Sequence, residues 1–117
     1  MAASNLHQLE RDIKRNISRF LDRLEIFHAS YSPYYGRAGM PDIVACYNGL
    51  FLGIEVKREK GVQTALQKNI QKEIEAAGGV YILARSIEDV RRALTPLQAT
   101  RINQLKGAYH GTTEEER

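Results

Sequence analysis

This sequence predicts an α/β sandwich, a mixed β-sheet flanked by helices in the order α-β-β-β-α-β-α. Three observations predict it. Apolar residues recur at helical spacing across residues 4–24. Two β-prone runs, DIVACY and LFLGIEVK, are separated by Asn48-Gly49, the strongest short-range hairpin signal because a type I′ turn needs positive φ at both central positions. A helical stretch from about Thr64 to Ala77 then stands between that hairpin and VYILA, a buried-type strand.

Taken in order, the first helix has Ser4 or Asn5 as its cap and Leu6, Leu9, Ile13, Ile17, Phe20, Leu21 and Leu24 on its apolar face. Residues 25–30 read as a short strand. SPYYGRAGMP, with two Gly and two Pro in ten residues, breaks regular structure. After the hairpin and the polar loop REKGVQ, the next helix stops at Gly78-Gly79, which permit a left-handed cap. SIEDVRRAL is a helix opened by Ser86, with Asp89 placed to complete a capping box. Pro96 interrupts it, and a last amphipathic helix runs to about Lys106. Residues 1–111 read as one domain and residues 112–117 as an acidic tail.

Composition narrows the function. At 117 residues the chain accommodates one ordinary domain. Its 43% hydrophobic and 26% charged residues describe a packed core and not disorder. No apolar run approaches the roughly 18 residues of a membrane span, and MAASNLHQLERDIKR lacks the apolar stretch of a signal peptide. A single cysteine excludes an internal disulfide framework and fits a reducing compartment. Cytoplasmic residence, in a bacterial or phage-infected cell, is the expectation. Net charge is +3, and with three Glu against one Arg in the tail, the remainder carries +5. A basic domain of this size attracts polyanions, of which nucleic acid is the commonest.

The turn sets a register, and the register gathers charge. A two-residue loop pairs Tyr47 with Leu50, and the same pairing carried onward brings Asp42 opposite Glu55. Lys57, two residues on, projects from the same face as Glu55. The other face carries Ile43, Ala45, Tyr47, Leu50, Leu52, Ile54 and Val56, a coherent core surface. Val44, Cys46, Phe51 and Gly53 make the charged face mostly apolar too, and Cys46 reads as core. Two carboxylates so placed need a compensating cation, or their pKa values separate. A hard ion such as Mg²⁺ suits them, held by one or two carboxylates with water and phosphate. The competing reading is a solvated strand end at which Lys57 neutralises Glu55. A Pro-Asp opening one strand, a tight turn and an apolar-flanked Glu-Val-Lys together favour the site.

The segment GMPDIVACYNGLFLGIEVKREKG resembles the core of the PD-(D/E)xK nuclease superfamily, with Pro41-Asp42 and Glu55-Val56-Lys57 at the motif positions. Within it the chain resembles the virus-type replication–repair nuclease (VRR-NUC) domain, found in small stand-alone phage and bacterial proteins and at the C-terminus of the Fanconi-associated nuclease. It is also similar in organisation to archaeal Holliday-junction resolvases. The likeness runs from about Glu10 to Leu94 and includes Gly-x-Pro-Asp, Glu-Val-Lys and a later Gln…Gly-Gly. It implies a restriction-endonuclease-like core.

The resemblance also implies supporting residues. A further carboxylate comes from the first helix, where Glu10 stands seven residues before Ile17 and points nearly the same way; alternatively Glu10 pairs with Lys14 at i,i+4. Gln67, eleven residues before Gly78, occupies the position of a family glutamine that holds the catalytic lysine or a phosphate oxygen, with Gln63 and Gln71 as neighbouring competitors. Arg37, Arg58, Lys60, Lys14, Arg15, Lys68 and Lys72 are phosphate contacts or solvated surface groups. Tyr31, Tyr34, Tyr35 and Arg37 pair aromatics with a cation, a composition suited to stacking on unpaired bases or to packing within the loop. His7, His28 and His110 show no metal-ligand spacing.

The implied reaction is phosphodiester hydrolysis in DNA that leaves 5′-phosphate and 3′-hydroxyl ends. Asp42 and Glu55, with the Val56 carbonyl and with Glu10 directly or through water, would bind one or two Mg²⁺ or Mn²⁺ ions, and Lys57 would position or deprotonate the attacking water. Stand-alone members act on branched DNA. Symmetrical resolution of a four-way junction takes two active sites, hence a homodimer, for which Leu97, Ile102 and Leu105 are one candidate surface. A flap or nicking nuclease of the same fold, a ribonuclease and a non-catalytic DNA-binding module are the alternatives.

Overall fold

A computed structural model describes residues 2–31 and 36–98, with side chains from Leu9 onward. A four-stranded mixed sheet is flanked by helices in the expected order, α-β-β-β-α-β-α. Helix α1 spans Ala2–Arg23, β1 Phe27–Ser30, β2 Ile43–Tyr47, β3 Leu50–Val56, α2 Ala65–Ala76 and β4 Val80–Ala84, and α3 covers residues 87–98. The strands lie in chain order, β1 to β3 antiparallel and β4 parallel to β3.

Helix α1 begins at Ala2, so Ser4 and Asn5 lie inside it and do not cap it. Ile17, Phe20 and Leu21 are buried and Ile13 packs against them, while Leu9 and Leu24 are about half exposed. This stretch of the helix covers the sheet. A Schellman turn closes α1: Glu25 adopts φ 57°, and the amides of Ile26 and Glu25 donate to the carbonyls of Leu21 and Asp22. Burial of Ile26 anchors that turn, which is why β1 starts at Phe27 and not at residue 25.

Asn48 (φ 50°) and Gly49 (φ 87°) form the expected type I′ turn. It imposes the expected register, from Tyr47 opposite Leu50 to Ile43 opposite Ile54. Ile43, Ala45, Leu52, Ile54 and Val56 are buried with residues of α1, β4 and α3, among them Val90 and Leu94. Each large aliphatic so buried contributes about 1.5–3 kcal/mol. On the other face α2 covers only part of the sheet. Ile74 packs over Gly53, where a Cβ would stand 3.1 Å from its Cδ1 and 2.8 Å from Pro41 Cγ. Cys46 is exposed, contrary to the core position expected of it, as is its cross-strand neighbour Phe51. Phe51 borders a cleft that it shares with Ile70, Glu73 and Ile74 of α2.

Thr64 caps α2 in a reciprocal capping box with Gln67. Gly78 (φ 92°) and Gly79 end it, their amides donating to the carbonyls of Glu75 and Ile74. Two expectations at α3 are corrected. Asp89 Oδ2 accepts from the Arg85 amide at 2.8 Å, one residue ahead of the Ser86 amide that a capping box would use. Helix α3 also continues through Pro96 to residue 98. The proline ring suits a helical φ, and the Thr95 hydroxyl donates to the Arg91 carbonyl (3.0 Å) in the same turn. Leu97 packs against the core. The helix expected to reach Lys106, with Ile102, Leu105, His110 and the tail, lies outside the described residues, as do Tyr34 and Tyr35. No helix among the described residues is long and apolar enough to cross a membrane.

Candidate metal and phosphate site

Carboxylates meet where β2 begins and β3 ends. The buried Pro41 delivers Asp42 to the step before β2. Its carbonyl accepts from the Tyr31 amide at 2.9 Å, and its carboxylate Oδ2 accepts from the Val56 amide at 2.8 Å. The backbone ladder therefore stops at Ile43–Ile54, and Asp42 meets β3 through its side chain. Glu55 is 3% exposed. Its Oε2 accepts from Gln67 Nε2 at 3.1 Å and lies 3.7 Å from Lys57 Nζ. Its Oε1 is enclosed, and its carboxyl lies within hydrogen-bonding reach of Asp42. Lys14 Nζ stands 4.0 Å from Asp42 Oδ1. Each carboxylate thus faces a lysine at a distance too long for a hydrogen bond.

Burial pushes the Glu55 carboxyl up to about 8; the neighbouring Asp42 charge adds to the shift, Lys57 opposes it, and Glu10 adds a smaller push. An enclosed carboxylate pressed against a second carboxylate fits a hard divalent cation. A cleft of about 240 Å³, lined by Glu10, Arg11, Lys14, Asp42 and Val56, opens next to them. Among the described residues no group of three or more His, Cys, Asp or Glu side chains could hold a metal together. Glu10 therefore stands on the cleft wall, and a cation here would draw on Asp42 and Glu55 with water and phosphate completing its shell.

Gln67 has two partners. Its Oε1 accepts from the Thr64 amide at 2.9 Å, closing the helix cap, while its Nε2 holds Glu55. It grips the glutamate and not Lys57. Gln63 and Gln71 bond to each other (3.0 Å), and Gln71 also reaches Glu75 (3.3 Å). Gln67→Ala removes both of its side-chain bonds and is expected to lower stability by about 1–2 kcal/mol in urea unfolding. An unchanged midpoint would show that neither bond supports the fold.

The expected basic contacts divide. Lys14 sits at the carboxylates, whereas Arg37 is engaged in a bidentate pair with Glu73 of α2 (3.0 and 2.6 Å). Arg58 and Lys60 are exposed on the loop after β3, and Tyr35 lies outside the described residues. Three residues at or near the site were not singled out from the sequence. Arg11 lines the cleft. Arg85 Nη1 donates to the carbonyls of Arg58 and Glu59 at 2.6 and 3.0 Å. Tyr81, across from Gly53, has an enclosed hydroxyl near Gln63, and burial pushes its phenol above the usual range. The arrangement can bind a cation, orient a phosphate and hold a water near a lysine. In comparisons with known proteins the chain matches no family model, no curated protein and no solved structure, so the chemistry assigned here rests on its own residues.

Proposed function

We propose that this chain is a divalent-metal-dependent endonuclease with a restriction-endonuclease-like core of the VRR-NUC kind, hydrolysing phosphodiester bonds in branched DNA. Glu55 carries the reading: a nearly enclosed carboxylate held against Asp42 and Lys57, where Asp42 also lines an open cleft.

A Mg²⁺ or Mn²⁺ ion bound by Asp42 and Glu55 supplies Lewis-acid polarisation of a phosphoryl oxygen and a lowered pKa for water. The protein's own groups do the remainder. Gln67 keeps the Glu55 carboxylate oriented, and the Val56 amide does the same for Asp42. Lys57, 3.7 Å from Glu55 Oε2, positions the attacking water and offsets charge developing on the phosphoryl oxygens. Lys14 and Arg11 on the cleft wall meet the DNA backbone. A homodimer is the proposed assembly, because symmetrical resolution of a four-way junction takes two such sites. Leu97 is partly buried against the core, so only its exposed part is open to such an assembly.

The test is an end-labelled four-way junction incubated with Mg²⁺ or with EDTA, beside a linear duplex. Metal-dependent, paired cuts at symmetrical positions are expected. Cutting of flaps or nicks in preference would reassign the substrate, and binding without cleavage in either Mg²⁺ or Mn²⁺ would sink the hydrolase reading in favour of a binding module.

A further inference from the structure

Arg11, Arg15, Arg19 and Arg23 follow one another at steps of four residues along α1, and all four are exposed. On a helix such steps keep neighbouring side chains about 5–6 Å apart and turn the row by about 40° each time. The four therefore lie on one ridge about 18 Å long. Ile17, Phe20 and Leu21 are buried on the opposite side of the helix, which turns the ridge to solvent. Two acidic residues share that side. Asp12 pairs with Arg15 at 2.9 Å, and Asp22 with His28 at 2.7 Å. Arg11, Arg19 and Arg23 form no ion pair among the described residues.

Like charges at i,i+4 repel and weaken the helix that carries them. Arg23, in the last turn, also suits the helix dipole, a role closed to the other three. An anionic partner is what the ridge fits, and two observations choose it. Arg11 lines the cleft beside Asp42, so the ridge starts at the candidate cation site and runs away from it along the helix. The apolar face of α1 is occupied by the core, so the helix has no such face to lay into a lipid surface. A polyanion with regularly repeated charges meets both conditions, and the ridge spans about five phosphates of one duplex strand.

We propose that the arginine ridge of α1 is a docking track for the sugar-phosphate backbone of a DNA arm that leads into the cleft. This rests on reading the Asp42–Glu55 site as one that acts on nucleic acid. It is tested with the full chain and the double variant Arg19→Gln/Arg23→Gln, whose positions lie beyond the cleft and whose glutamines keep a high helix propensity. Fluorescence anisotropy in Ca²⁺ measures binding to a labelled linear duplex over a range of salt concentrations. The variant is expected to bind roughly tenfold or more weakly at about 0.1 M salt, and its slope of log affinity against log salt to fall by about two. Arg19→Lys/Arg23→Lys keeps the charges and is expected to keep the wild-type slope. Lys68→Gln/Lys72→Gln removes the same charge from α2, across the sheet, and is expected to change the slope less. An unchanged slope in the arginine variant, or equal losses in both glutamine variants, overturns the track. Binding to phosphatidylserine vesicles that the arginine variant loses, with its DNA slope unchanged, reassigns the ridge to a membrane surface. Parallel reactions in Mg²⁺ separate the two ideas. The expected slopes without cleavage leave the track standing and remove the nuclease, and cleavage with unchanged slopes does the reverse.

Discussion

Asp42→Asn is expected to reduce metal-dependent DNA cleavage at least about a thousandfold while leaving the fold intact. The carboxylate has two separable tasks. Oδ2 accepts the Val56 amide at 2.8 Å, and the amide oxygen of asparagine can accept it equally well. Oδ1, 4.0 Å from Lys14, belongs to the charge that a cation needs. The substitution thus preserves the junction between β2 and β3 and deletes half of the anionic character of the site. Single-turnover cleavage measures the loss, and urea unfolding of the same preparation verifies that stability has moved by less than about 1 kcal/mol. Activity within tenfold of wild type would remove Asp42 from the cation site.

The second large effect is on stability. In the absence of divalent metal, the wild type is expected to become less stable as pH rises from about 4.5 toward 8, and Glu55→Gln is expected not to. The Glu55 carboxyl titrates at about 8 in the folded protein against an ordinary value of 4.5. Between those limits the native state keeps a proton that the unfolded chain has released. Its contribution is complete below 4.5 and declines on the order of 1 kcal/mol per pH unit until the folded carboxyl ionises. Glutamine keeps the shape and the bond from Gln67 but cannot ionise, so its unfolding curve stays level through the same window. By pH 8 the variant is expected to be more stable than wild type by about 2–4 kcal/mol, and inactive. Chemical unfolding in EDTA across this window checks the claim. Parallel curves for the two proteins would place the titration elsewhere. Adding Mg²⁺ is expected to reverse the order, since the cation displaces the proton and stabilises only the carboxylate form.

The hairpin was open to reading because Asn48-Gly49 admits one turn geometry, and the turn sets every pairing from it to Ile43. Asp42, Glu55 and Lys57 follow by counting, since alternate residues of a strand share a face. Counting fails where contacts depend on packing between elements distant in the chain. No turn joins β3 to β4, so nothing in the sequence revealed that Tyr81 would lie across from Gly53 or that Arg85 would brace the loop at Arg58. Cys46 looked internal because its neighbours are apolar, yet it is exposed, since burial on this face depends on which helix packs there and not on the strand's own pattern. The end of α1 was hidden for a local reason. Glu25 takes a conformation that usually favours glycine, and buried Ile26 holds it there. Lys14 shows the converse: named for a phosphate, it turned out to face Asp42, a contact between α1 and the start of β2 that strand counting does not reach.

Gln67 makes a helix terminus and a carboxylate parts of one thermodynamic unit. One end of its amide closes the first turn of α2 through Thr64, and the other end restrains Glu55. Fraying of that turn and release of the carboxylate are consequently a single opening event. Whatever occupies Glu55 must raise the free energy of that opening. Backbone amide exchange at Thr64 and Gln67 then slows on ligation even though neither amide touches the ligand, and the start of α2 reports occupancy of the site without any displacement of the sheet.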